Sequence, residues 1–325
     1  MIRESIAVSR WLGSHASLFI IAIAVLTFLL PDLFSWVHGT TQTVILGLIM
    51  LTMGLTLTTD DFRVLARRPQ DILIGAVAQF LIMPGVAYLL VTVFHLEPAL
   101  ALGILLVGCC PGGVSSNIMS YLCKGDIAFS VGMTTVNTLL APVVTPMLLL
   151  WLTGEDVDID AIGMFKNILI VTLIPVTIGY IINSFLSDKK QYKEIQKIMP
   201  GLSVICLACI VGGVVSQCGD AFVKSGILIF IAILLHNSFG YLLGYGIGSL
   251  VKFNTAKKRT ISIEVGMQNA GLATNLASNH FNSYPEAAVV SAICCVWHSI
   301  SGTILANLFI FVENRRKSSL VKFRP

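Results

Sequence analysis

Charged residues are scarce in this chain. Lysine, arginine, aspartate and glutamate make up 12% of 325 residues, against roughly a quarter in soluble domains. That deficit excludes an ordinary water-soluble surface. The small net charge of +4 gives no case for a nucleic-acid partner, because the cations lie in short clusters between apolar runs. Metal-site spacing is also missing. Cys206 and Cys209 stand in a CxxC arrangement, but inside an apolar run and without the second pair that a zinc knuckle needs. The cysteines at 109, 110, 123, 206, 209, 218, 294 and 295 therefore read as small buried hydrophobes.

Apolar length is abundant instead. Hydrophobic residues are 55% of the chain and the mean hydropathy is +0.86. Runs of about 17–25 apolar residues can each cross a bilayer. Ten are expected, near 14–31, 41–58, 71–94, 98–123, 126–152, 162–186, 199–217, 224–251, 256–281 and 286–312. Arg3 and Arg10 before Leu18–Leu30 resemble a signal peptide, but Pro31-Asp32-Leu33-Phe34 follows in place of a small-x-small cleavage site. The run is read as the first span.

Cations set the expected orientation. With the N-terminus in the cytoplasm, nineteen of the 21 lysines and arginines fall on the cytoplasmic side, and only Lys166 and Lys224 fall opposite. The opposite side carries the acidic loop 154–160. Both termini of a multi-pass membrane protein are thus expected in the cytoplasm. The halves 1–152 and 153–325 hold five spans each. The fourth span is interrupted at Pro111-Gly112-Gly113 and the ninth at Gln268-Asn269-Ala270-Gly271. Because five is odd, the second half must enter the membrane inverted, as in secondary transporters whose sites lie where broken helices meet.

Glu264 is the one acidic residue well inside an apolar run. A carboxylate at that depth is costly without a partner. Gln268 lies four residues on, so the two would share one helix face, giving a hard-oxygen set suited to a small cation such as sodium. A Glu264 protonated or salt-bridged for structure is the plainer alternative. At the other break, helix is expected to restart at Val114–Asn117, with serine and asparagine as caps and free N–H groups facing an anion. Ser130, Thr134, Thr135 and Asn137 line the fifth span near helical spacing, and Gln79 lies at depth in the third. Such groups often serve only as interhelical glue. His298-Ser299 reads as a proton site, a ligand contact or a satisfied core histidine.

The segments GAVAQFLIMP (75–84), GCCPGGVSSN (108–117), LLHNSFGYLLG (234–244) and IEVGMQNAGLA (263–273) closely resemble bacterial members of the bile acid:sodium symporter family. The resemblance runs over essentially all ten spans. It implies an all-α fold of two inverted five-helix repeats. A panel domain would come from 14–58 and 162–217, and a core domain, holding the crossing broken helices, from 71–152 and 224–312. It implies sodium-coupled symport of an organic anion by alternating access, with about two sodium ions per substrate, no enzyme activity and no cofactor beyond the coupling ions. One sodium site would use Ser116, Asn117, Ser130, Thr134 and Glu264. The other would use Gln79, Glu264, Gln268 and the carbonyls of Val265 and Met267. The anion, a bile salt or smaller carboxylate, would lie against Gly112, Gly113, Val114, Asn269, Ala270, His298 and Ser299. The partners implied are sodium, this anion and the lipid bilayer. A cation/proton antiporter using Glu264 and His298 is the competing reading.

Overall fold

The computed structural model describes the chain except residues 1, 62–67, 114, 155–156, 225 and 323–325; side chains at 2–3, 218–224 and 316–322 are likewise outside the described set. Several of the basic residues used for orientation fall there, Arg63 and Arg67 among them, as do Glu155 and Asp156.

The described residues are helical, and the only β-type pairing among them is one isolated bridge. In chain order the helices are α1 (Ile2–Ser14), α2 (Ala16–Leu29), α3 (Gly39–Gly54), α4 (Pro69–Phe94), α5 (Pro98–Cys109), α6 (Ser116–Leu122), α7 (Ile127–Thr153), α8 (Ala161–Ile168) and α9 (Ile174–Leu186). There follow α10 (Lys190–Gln196), α11 (Met199–Lys224), α12 (Gly226–Leu250), α13 (Thr255–Gly266), α14 (Ala270–His280) and α15 (Pro285–Lys322). Among the described residues, six helical stretches are long and apolar enough to cross a membrane. Helix α1 turns into α2 at 83°, so the segment with Arg3 and Arg10 is not a straight extension of the first span.

Local chemistry explains the ends. Asp126, Asp160 and Asn254 cap α7, α8 and α13 by accepting the N–H groups of Phe129, Gly163 and Lys257 at 3.1, 2.8 and 2.9 Å, which satisfies donors that a first helical turn leaves open. A π turn at Leu169–Leu173 joins α8 to α9. It lies just before Pro175, whose ring cannot supply the next ladder donor.

The helices present apolar side chains outward as well as inward. On α4, Leu73, Val77, Leu81, Leu89 and Val93 are exposed, while Gln79, Met83, Ala87 and Leu90 are buried. Leu81 is 70% exposed. A surface of that kind is stable against lipid and not against water. The amide of Gln79 faces inward, so the polarity of this protein is concentrated at its centre.

Helix α3 packs against α9 and α11, and α2 packs against α11. The α3–α9 contact is close because it is glycine on glycine: a Cβ on Gly54 would lie 2.2 Å from the Val176 carbonyl, and one on Gly179 would lie 2.6 Å from that of Leu51. Helices α4, α7, α12, α13 and α15 surround the breaks between α5 and α6 and between α13 and α14. On the side of the basic loops, Lys257 pairs with Asp71 and stacks over Phe129 and Phe253, and Arg259 pairs with Glu313 at 2.9 Å.

Candidate functional site

The two breaks meet. Pro111–Gly113 and Met267–Asn269 run antiparallel, bridged at Gly112 and Gln268. Gly113 N–H donates to the Met267 carbonyl and Asn269 N–H to the Pro111 carbonyl, both at 2.8 Å. Each break thus satisfies the backbone groups that the other leaves open, which irregular backbone requires at membrane depth. Gly113 is demanded sterically: an added Cβ would lie 2.7 Å from the Gln268 carbonyl oxygen.

Glu264, on the last turn of α13, is fully buried. Its Oε1 accepts from Ser116 Oγ at 2.6 Å and from Ser130 Oγ, and its Oε2 accepts from Thr134 Oγ1 at 2.9 Å. No lysine, arginine or histidine pairs with it among the described residues. Asn117 Oδ1 is within reach of both Ser130 Oγ (2.7 Å) and Thr134 Oγ1 (3.3 Å). Ser116 Oγ also lies 2.7 Å from the Gly113 carbonyl, and Thr134 Oγ1 3.0 Å from that of Ser130. Each hydroxyl has a single proton to donate, so acceptor oxygens outnumber donors. Such a set lacks a positive centre, and its chemistry fits a hard cation such as sodium.

The second candidate set is adjacent. Gln79 Nε2 donates to Gln268 Oε1 at 2.7 Å and reaches the Cys110 carbonyl at 3.4 Å. Gln268 Nε2 donates to the Val265 carbonyl at 2.8 Å, and the Met267 carbonyl accepts Gly113 N–H. These carbonyls keep a second lone pair for a ligand. The geometry corrects the expectation that Glu264 and Gln268 share a helix face: α13 ends at Gly266, and Gln268 lies in the extended crossing. It corrects the expected cap as well. Helix α6 begins at Ser116, and Ser115 at its N-cap position makes no side-chain cap bond; the Ser116 hydroxyl lies on Glu264 and the Gly113 carbonyl instead. At α14 it is Asn269 that caps, its Oδ1 accepting Leu272 N–H at 3.0 Å.

A cavity of roughly 200 Å³ adjoins the crossing. Gly113, Asn269, Ala270, His298 and Ser299 line it, while Gly112 is buried beside Glu264 and Val114 lies outside the described residues. Asn117 and Gln268 line it too, so the cavity touches both candidate cation sets. Its far wall, from α3 and α11, includes Met50, Thr52, Met53, Ser203 and Leu207. Sequence reasoning missed these residues, since isolated hydroxyls such as Thr52 and Ser203 in apolar runs are as common in helix–helix contacts as at a cavity. No charged side chain lines it among the described residues. His298 is buried at the cavity wall, with the Gln268 main chain beside its ring.

The sequence model of the Sodium Bile acid symporter family matches residues 43–225. The chain belongs to this family. It is 44% identical over 299 residues to the uncharacterized sodium-dependent transporter YocS of Bacillus subtilis, covering 92% of each chain. To the probable sodium/metabolite cotransporter BASS1 of the Arabidopsis thaliana chloroplast it is 38% identical, over 86% of this chain and 69% of that one. To the human ileal sodium/bile acid cotransporter it is 33% identical, over 86% and 80%. This is a family of sodium-dependent transporters rather than enzymes, and the member described here is a multi-pass membrane protein.

Proposed function

We propose that this protein is a sodium-coupled symporter of an organic anion, a bile salt or a smaller carboxylate, working by alternating access. The observation that carries the reading is Glu264: a buried carboxylate ringed by hydroxyls, without a cation, one residue layer from a cavity without charge. Sodium beside Ser116, Asn117, Ser130, Thr134 and Glu264 neutralises the carboxylate. A second ion beside Gln79, Gln268 and the Val265 and Met267 carbonyls ties α4 to the crossing. Both fix the two breaks against each other. They supply, with the start of α14, the positive potential that an anion needs in a cavity lined only by neutral groups.

The topology we infer has ten crossings. The six long helical stretches, the bent first span, the shorter α3 and the two broken pairs α5–α6 and α13–α14 make up that number. The repeats are 1–152 and 153–325, with the panel from 14–58 and 162–217 and the core from 71–152 and 224–312; the packing of α2, α3, α9 and α11 together supports that division. With the basic loops in the cytoplasm of a bacterial inner membrane, the cavity reaches the cytoplasmic ends of α3 and α11 at Thr56, Met199 and Pro200. Toward the outside, Thr43 on α3 accepts from Asn275 at 3.1 Å and from Asn279 at 3.4 Å on α14. This arrangement is inward-facing, with a polar latch between panel and core. Transport of two sodium ions with one monovalent anion carries net positive charge inward, so an inside-negative potential drives it by about 2.3 kcal/mol per charge per 100 mV.

The test is a thermal-unfolding screen of small carboxylates and bile salts, in sodium and in potassium. A substrate stabilises the purified protein, and more so in sodium, because coupling between two ligands is reciprocal. If no carboxylate or bile salt stabilises in either medium, the organic-anion reading is wrong.

A further inference from the structure

Asn137 is fully buried, and neither its Oδ1 nor its Nδ2 has a partner among the described residues. A carboxamide offers two donors and two acceptor sites, and buried polar groups are nearly always satisfied. Its position defines what it faces. At 3.6 residues per turn, Asn137 projects from α7 within about 20° of Ser130, and Thr134 and Thr145 share the stripe. Below Asn137 the stripe meets Glu264 through Ser130 and Thr134. Above it, Thr145 Oγ1 donates to the Cys109 carbonyl at 2.8 Å. Asn137 therefore lies on the face of α7 that carries Ser130 and Thr134, about one turn beyond Thr134.

Helix α4 brings a second open group to the same level. Asp71 pairs with Lys257, which stacks over Phe129, and Gly75 abuts Met133, whose Sδ would lie 2.5 Å from an added Cβ. The first of these is bridged by Lys257 and the second is direct, and both step by four residues in the same sense, as α4 and α7 running parallel would. Continuing that register by one step brings Gln79 level with Asn137. Gln79 Oε1 is buried and also has no partner among the described residues, although Gln79 Nε2 is occupied by Gln268 and Cys110.

We propose that Asn137 belongs to the ion site of Gln79 and gives its carboxamide oxygen to the sodium ion held there. This rests on the sodium-coupled reading above. Two buried side-chain oxygens at one level of adjacent helices, each left without a donor among the described residues, are what a cation binds. Packing alone would have paired the two amides with each other. The stripe on α7 then serves both ions: Ser130 and Thr134 the one at Glu264, Asn137 the one at Gln79.

The experiment titrates sodium against the thermal stability of the purified full-length protein, with potassium holding ionic strength constant, for wild type, Asn137→Leu and Asn137→Ser. A ligand role predicts that half-maximal stabilisation needs about tenfold more sodium in both variants. It predicts an unfolding temperature in potassium as high as wild type or higher, because the open amide is gone. A purely structural role, or a pair of buried waters, predicts the reverse: lower stability in potassium and an unchanged sodium midpoint. That result overturns the proposal and leaves the sodium reading intact. A wild type that sodium does not stabilise overturns both. If Asn137→Leu does not fold, Asn137→Ser alone decides between the same outcomes.

Discussion

Replacing Glu264 with glutamine keeps the volume of the side chain and removes its charge. In wild type without sodium, the carboxylate is fully buried and stabilised only by the hydroxyls of Ser116, Ser130 and Thr134. Hydrogen bonds to a charged group contribute about 1.5–3 kcal/mol each. They do not fully offset the several kcal/mol that burial of an ion costs. Glu264→Gln is therefore expected to match or exceed wild type in stability when sodium is absent. With sodium the order reverses. The wild type gains RT ln(1 + [Na⁺]/Kd), about 2.7 kcal/mol at a hundredfold excess over Kd. The variant loses the charge–charge contact to the ion, and losing one partner of a buried pair costs about 3–5 kcal/mol. That weakens sodium binding by roughly two to four orders of magnitude. Thermal unfolding of both proteins in sodium and in potassium measures all four states. A Glu264→Gln protein with wild-type stabilisation by sodium would refute the reasoning. A variant much less stable than wild type in potassium would show that the carboxylate has a structural partner instead.

Three further outcomes are expected. Gln268→Ala removes the acceptor of the Gln79 amide, so it should raise the sodium concentration for half-maximal uptake several-fold while changing saturated substrate binding less; superimposable sodium titrations would contradict this. Gly113→Ala places a Cβ 2.7 Å from the Gln268 carbonyl, and overpacking of that kind costs about 1–3 kcal/mol. It should uncouple the two breaks and abolish transport, and full uptake would mean that the crossing need not be tight. Asn275→Leu removes the stronger bond to Thr43 and should favour the outward-open state. A cysteine placed at Leu46 in that background should then react faster with a membrane-impermeant thiol reagent added outside, and an unchanged rate would exclude the latch.

Much of the site was legible before any coordinates, because the signals were chemical exceptions in an apolar chain. Proline and glycine at 111–113 and the amides at 268–269 cannot continue a lipid-facing helix, and the two breaks do meet. Glu264 stood out for the same reason. Less was legible where identity depends on backbone path. The four-residue spacing of Glu264 and Gln268 suggested a shared face, but the helix stops between them at Gly266. Ser115 and Ser116 looked like caps until the Ser116 hydroxyl was found on Glu264. The hydroxyls of α7 illustrate both cases. Thr135 back-bonds to the Val131 carbonyl at 2.7 Å, the ordinary role of a threonine in a membrane helix. Ser130 and Thr134, indistinguishable from it by type, turn to the carboxylate because their face of the helix meets α13. The angle of the bend before α2 has no marker in the sequence, and the hydroxyls of the α3–α11 wall, Thr52 and Ser203, read like ordinary interhelical contacts.

The central claim is that sodium, bound at Glu264, drives an organic anion across the membrane. Its most direct measurement is uptake of a carboxylate that passes the stability screen, in proteoliposomes with an inward sodium gradient, for wild type and Glu264→Ala. The account predicts accumulation above equilibrium in wild type that collapses when sodium is equal on both sides, and none in Glu264→Ala. Accumulation by the variant at the wild-type level, or by the wild type without a sodium gradient or membrane potential, would contradict it.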